Sequence, residues 1–228
     1  MSKWIRLELQ EFLASNPKMR LTHFDDASIV IEGEYNIDAQ MDGFNPIHES
    51  YNLKIVFPER YPKEIPTVTE TKHTIPRKPD YHTYHDGSFC LGSDIQLKEI
   101  ISETPNISDF ISKILDQFLY SISYKLRYHE FPRGDLAHGE EGLIDDYERL
   151  FNIKGKRSVL RVLDALGKRK RVANKLRCPC GCNKRLGVCG FRFPLIKWRS
   201  LDRRRWFREH LSNSFLPIEK SKQKKKVN

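Results

Sequence analysis

The chain has 228 residues, 39% of them hydrophobic and 31% charged, with a formal net charge of +10. That supplies apolar material for a folded core, and no apolar run approaches the ~18 residues of a membrane helix. No membrane-spanning helix is therefore expected, and with no hydrophobic signal segment in Met1-Ser-Lys-Trp-Ile-Arg6 a cytoplasmic protein is expected.

The net charge conceals two unlike parts. Residues 1–150 hold 16 Lys and Arg against 26 Asp and Glu, whereas residues 151–228 hold 24 against 4. A reversal of that size marks a change of domain. The cysteines divide in the same way, with Cys90 in the acidic part and Cys178, Cys180, Cys182 and Cys189 in the basic part. Three segments are expected: a main domain over 1–150, a basic helical and cysteine-bearing region over 151–219, and a disordered lysine-rich tail over 220–228.

In chain order, Trp4 to Ala14 predicts a short amphipathic helix that Asn16-Pro17 ends. Met19–Phe24 and Ser28–Tyr35 read as strands separated by the Asp25-Asp26 turn. Asn36–Glu49 reads as a loop or as the outer part of a long hairpin. In Tyr51–Phe57 the residues Tyr51, Leu53, Ile55 and Phe57 share one face, and Pro58 stops the ladder because it has no N–H to donate. Ile65–Thr69 is a further short strand. Lys72–Gly92 lacks periodicity, and an irregular stretch of that length inside a domain tends to be functional. Leu97–Ile101 predicts a helical turn. Asn106-Ile-Ser-Asp109 opens the strongest predicted helix, with apolar spacing from Ile107 to Ile122. Gly142–Phe151 and Ser158–Leu166 follow as helices, the latter with Val159, Leu160, Leu163 and Leu166 on one face.

The irregular stretch ends in Tyr81-His-Thr-Tyr-His-Asp-Gly-Ser-Phe-Cys90-Leu. A lone cysteine near His82 and His85 is a candidate nucleophile, and equally a small packed thiol. Acyl transfer through a thioester needs an accessible thiol and a donor for the oxyanion of the tetrahedral intermediate. His82 is the candidate donor or base, with a loop-holding hydrogen bond as the alternative. Tyr84, Ser88 and the backbone amides around Gly87 are the other donors in reach. Asp86-Gly87 reads as turn chemistry.

A helix, a meander, Phe57-Pro58, Tyr61-Pro62 and Pro66, then Gly87-Ser-Phe-Cys90-Leu91, in this order, resemble the ubiquitin-conjugating (E2) family over roughly residues 1–130. The resemblance is to its bacterial branch, found in ubiquitin-like conjugation and antiphage defence operons. It implies an α+β, E2/UBC-like fold and a transferase that carries a modifier on Cys90. The implied partners are an E1-like activating enzyme, a ubiquitin-like modifier and a lysine-bearing protein target. The sequence departs from the eukaryotic pattern at two positions. His82 stands eight residues before the cysteine, where a His-Pro-Asn triplet places Asn, and Tyr124 stands thirty-four residues after it, in place of an acidic residue. A non-catalytic E2-like binding module is the alternative reading.

In the basic region, Cys178-Pro-Cys180-Gly-Cys182 and Cys189 lie within twelve residues. Four cysteines so close in a reducing compartment point to thiolate ligands for a structural zinc ion, with a redox-active or unliganded cluster as the alternative. The stretch resembles the SEC-C zinc motif at Cys178, Cys180 and Cys189. Its fourth ligand position is Gly190, so Cys182 is expected to substitute. Lys168-Arg-Lys-Arg171 and Arg203-Arg-Arg-Trp-Phe-Arg208 mix basic and aromatic residues. Such patches bind nucleic acid through phosphates, which makes a nucleic-acid-binding adaptor the third reading. They are equally suited to an acidic partner or to the acidic part of the chain. Trp198, Leu201, Trp206, Phe207 and Leu211 are expected to bury.

Overall fold

The computed structural model describes residues 3–132, 134 and 139–215. The chain divides into two units, Met1–Leu136 and Ala137–Asn228. The division falls ahead of the expected junction at 150/151, because the helix Gly139–Phe151 packs with the helix that follows it. The lysine-rich tail 220–228 lies outside the described residues.

The first unit is α+β. Helix α1 (Lys3–Ser15) precedes an antiparallel sheet of four strands in the order β1 (Met19–Phe24), β2 (Ser28–Ala39), β3 (Ile47–Pro58) and β4 (Thr67–Glu70). The predicted strands are all present. The segment after Tyr35 resolves as the outer part of a long hairpin, paired from Ser28 with Pro58 to Ala39 with Ile47. The alternation in β3 has the expected consequence: Tyr51, Leu53, Ile55 and Phe57 are buried and the residues between them are half-buried. One face of the sheet is thus apolar and must be covered.

It is covered by α3 (Ile107–Phe110), a π-helical turn (Ile111–Leu115) and α4 (Asp116–Tyr128), which run on without a break. The cap is the predicted one, with the Asn106 side chain accepting from the Asp109 amide at 2.7 Å. Glu8 on α1 accepts the Ile107 amide at 2.8 Å, fastening α1 to the same helix start. Tyrosines bring hydroxyls into this core, and a buried hydroxyl needs a partner. Tyr35 donates to Asp116 at 2.7 Å and Tyr61 to the Asn106 carbonyl at 2.9 Å, while Tyr51 lies 2.7 Å from the Ser123 hydroxyl. Helix α2 (Asp94–Glu103) is longer than the single turn expected and buries Ile95, Leu97 and Ile101.

The second unit is helical around its cysteine knuckle. It comprises α5 (Gly139–Phe151), α6 (Lys156–Gly167), α7 (Lys170–Ala173), α8 (Pro194–Leu201) and α9 (Arg204–Phe215). On α6 the buried face is Val159, Val162, Leu163, Ala165 and Leu166, with Leu160 only half-buried at its edge. Trp198, Leu201 and Phe207 are buried as expected, and Trp206 and Leu211 are half-buried. Tyr147 and His210 make a buried hydrogen bond of 2.6 Å, and the Trp206 ring stacks on His210 at 4.7 Å. No helix among the described residues is long and apolar enough to cross a membrane.

Candidate functional site: the Cys90 loop and the cysteine knuckle

The irregular segment after β4 is held by a carboxylate that no sequence motif singles out. Glu70 ends β4 and is 1% exposed. Its two oxygens accept the amides of Lys72 at 2.8 Å and Thr74 at 3.0 Å, so the buried charge is met by backbone dipoles. The chain then wanders out and returns along the edge of β4. Here the Glu70 amide donates to the Gly87 carbonyl at 3.0 Å and the Phe89 amide to the Val68 carbonyl at 2.9 Å. Gly87 has φ +87, and a Cβ there would stand 2.7 Å from the Glu70 carbonyl oxygen. Only glycine fits this close return.

Cys90 is the next residue to leave the sheet edge and is partly exposed. Its amide donates to the His82 carbonyl at 2.8 Å. His82 itself is left-handed, at φ 48 and ψ 38, closing a short 3₁₀ turn over Pro79–Tyr81. Its ring packs on Phe131 at 5.5 Å. Lys125 of α4 donates to the Asp80 carbonyl at 2.8 Å and lies over the Tyr81 and Phe131 rings at 5.4 and 4.2 Å. The C-terminal turn of α4 therefore pins the 80–82 corner against which Cys90 rests.

The remaining donors sort themselves by what they already do. The Ser88 hydroxyl donates to Asp86 at 2.6 Å and the Gly87 amide to the Tyr84 carbonyl at 2.9 Å, so both are committed to the turn that Asp86-Gly87 predicts. Asp86 is held below the ordinary carboxylate range by these Ser88 hydrogen bonds. Tyr84 differs. It is exposed, and its hydroxyl is pushed up to about 12, first by a hydrogen bond with the Cys90 sulfur. His85 is exposed, and its carbonyl accepts from Arg77 at 3.2 Å. Tyr124 is buried against Phe44, Tyr120 and Tyr128, with ring centroids 5.5, 6.0 and 4.4 Å away.

In the second unit the four cysteine sulfurs all lie within 4.8 Å of one another. Nearest separations are 3.1 Å for Cys178–Cys180, 3.7 Å for Cys180–Cys189 and 3.6 Å for Cys182–Cys189. The left-handed Gly181 and Asn183 turn the chain between them, and the Cys178 amide donates to the Lys184 carbonyl at 2.9 Å. Cys182 joins the set, as expected for a substitute ligand. Burial pushes the Cys178 thiol up, whereas the Phe191 amide first, then neighbouring sulfurs, bring Cys189 down to about 7. No pair forms a disulfide. A tetrahedral ion at about 2.3 Å from each sulfur separates them by about 3.8 Å, so this cluster can hold a metal ion.

No family model, curated protein or solved structure matches the chain.

Proposed function

We propose that the first unit is an E2-like acyl carrier, in which Cys90 takes a ubiquitin-like modifier from an E1-like activating enzyme as a thioester and passes it to a lysine amine, in a bacterial conjugation or antiphage defence pathway. The observation that carries this reading is the placement of Cys90. It is the one cysteine of the unit, and it sits partly exposed beside a hydroxyl donor, at the end of a loop anchored at both sides.

In loading, the Cys90 thiolate attacks the thioester carbon on the activating enzyme, a new C–S bond forms, and the enzyme's own thiolate leaves. In discharge, an amine attacks the same carbon, and Cys90 leaves as the thiolate while the amine loses a proton to solvent. Both steps pass through an oxyanion that needs a donor. Tyr84 is that donor in our reading, since its hydroxyl keeps its proton to about pH 12 and already lies at the sulfur. His82 is read as the loop-holding residue, whose main-chain carbonyl accepts the Cys90 amide. Buried Tyr124 presents no base to the incoming amine.

The knuckle is read as a structural zinc site with Cys178, Cys180, Cys182 and Cys189 as its ligands. Four thiolates close a tetrahedral shell and leave no open position for chemistry.

The test is reconstitution with an activating enzyme, its modifier and ATP. A dithiothreitol-sensitive adduct is expected with the native chain and a dithiothreitol-resistant one with Cys90→Ser. An adduct of unchanged yield in Cys90→Ala contradicts the reading.

A further inference from the structure

Helix α6 ends at Gly167 beneath two guanidinium groups. Arg199 donates to the Lys168 carbonyl at 2.8 Å and the Ala165 carbonyl at 2.7 Å, and Arg208 donates to the Gly167 carbonyl at 3.0 Å. These bonds cap the helix but neutralise no charge, since a carbonyl is a dipole and each guanidinium stays cationic. Two adjoining hollows of about 360 and 480 Å³ open here and share Arg204 and Arg208 in their walls. Lys168 and Arg169 complete the basic lining of the first, and Arg199, Arg203 and Arg205 that of the second.

The charge balance of this groove is one-sided. Lys168 pairs with Asp164, and Arg205 pairs with Glu209. The Arg203 amide donates to Asp202 at 2.6 Å, but no ion pair joins the side chains of Arg169, Arg203 or Arg204 to a carboxylate among the described residues, and Asp202 is the single carboxylate in the walls. Arg199 is held below its ordinary range, by burial first and then by the charge of Arg204, and Arg203, Arg204, Arg205 and Arg208 line the same hollow. Such crowding is unfavourable until an anion enters.

We infer that this groove binds the phosphodiester backbone of nucleic acid without reading base sequence. A planar guanidinium fork matches two phosphate oxygens, and Arg is the residue suited to that geometry. Two joined hollows with unpaired cations in both walls suit successive phosphates along a strand, whereas one small anion fills only one of them. The site is in the second unit and does not rest on the acyl-carrier reading.

The experiment uses the full chain and fluorescein-labelled RNA duplex, DNA duplex and single-stranded DNA of about 20 nucleotides. Anisotropy is followed between ~50 and ~200 mM salt, where phosphate contacts weaken steeply. Binding is expected to at least one probe. In the Arg203→Gln/Arg204→Gln double variant the slope of log affinity against log salt should be shallower by about 2, or about one per lost phosphate contact. Neither side chain makes a contact that the fold needs, so the melting transition should be unchanged. Equal slope and affinity in the double variant would overturn the inference, as would polyglutamate competing as well as the duplex, which would make the groove a site for acidic protein.

Discussion

The amide of Cys90 donates to the carbonyl of His82 at 2.8 Å, and His82 holds that carbonyl in place from a left-handed backbone conformation. The seven residues between them are thereby closed into a loop that includes Tyr84, whose hydroxyl is raised first by a hydrogen bond with the Cys90 sulfur. Left-handed backbone costs most residues roughly 1–2 kcal/mol, and glycine, which has no side-chain donor, adopts it freely. His82→Gly should therefore keep discharge within about 3-fold of the native rate, while His82→Ala destabilises the first unit by about 1 kcal/mol. Single-turnover discharge and thermal melting check the pair. A ~10 to ~1000-fold loss of rate in His82→Gly would return the ring to the role of oxyanion donor.

Tyr84→Phe removes one oxygen from the site and leaves the ring. A hydrogen bond to a charged group contributes about 1.5–3 kcal/mol when shielded, and less at an exposed tyrosine, so alkylation of Cys90 by iodoacetamide at neutral pH should slow by roughly 3- to 30-fold. Peptide mapping gives the rate at Cys90 alone. An unchanged rate would remove Tyr84 from the chemistry, and a Cys90 that resists alkylation in the native chain would favour a non-catalytic module.

Glu70 is placed to organise the whole loop. Glu70→Ala strips the amides of Lys72 and Thr74 of their acceptor, at a cost of about 1–2 kcal/mol. Denaturant unfolding should show that loss, and protease cleavage should appear first within residues 72–92. A variant as stable as the native chain would mean that water replaces the carboxylate.

The tyrosines set the alkaline limit. Burial raises Tyr35, Tyr51 and Tyr61 above the ordinary value of 10.0, and the Cys90 sulfur raises Tyr84. Groups with folded pKa values above the unfolded one bind protons more tightly in the native state. Their contribution to stability is whole below pH 10 and is lost as the pH rises past it. Absorbance at 295 nm should show several of the nine tyrosines ionising only as the chain unfolds. All nine titrating near pH 10 in the folded protein would contradict the burial described here.

For the knuckle, metal release on mercurial treatment should give about one zinc per chain, and acid should release it because protons compete for the thiolates. Chelation should melt the helices of the second unit. Metal-free protein with an intact second unit would exclude the structural role.

Much of this was legible before any coordinate. The alternation from Tyr51 to Phe57, the Asn106 cap and the run from Ile107 to Ile122 each carry their own periodic signal. Helices α8 and α9 did not stand out, because arginines interrupt their apolar spacing. The sequence predicts only one turn of helix α2, since its start at Ser93-Asp94 follows an irregular segment. At the site, glycine and proline marked the loop that presents Cys90. Tyr84 is among the donors that the sequence offers, but the roles of Glu70 and Lys125 are invisible there, because each depends on where the chain returns in space. Ser88 and Gly87 offered themselves as donors in sequence and are committed to a turn in the fold.

The most direct measurement is peptide mass mapping of the modifier adduct, digested without reductant. The account predicts the modifier's C-terminal residue attached to the peptide bearing Cys90, and its loss on treatment with hydroxylamine. Attachment instead to a lysine, or to the 178–189 cysteine peptide, with Cys90 free throughout, would contradict it.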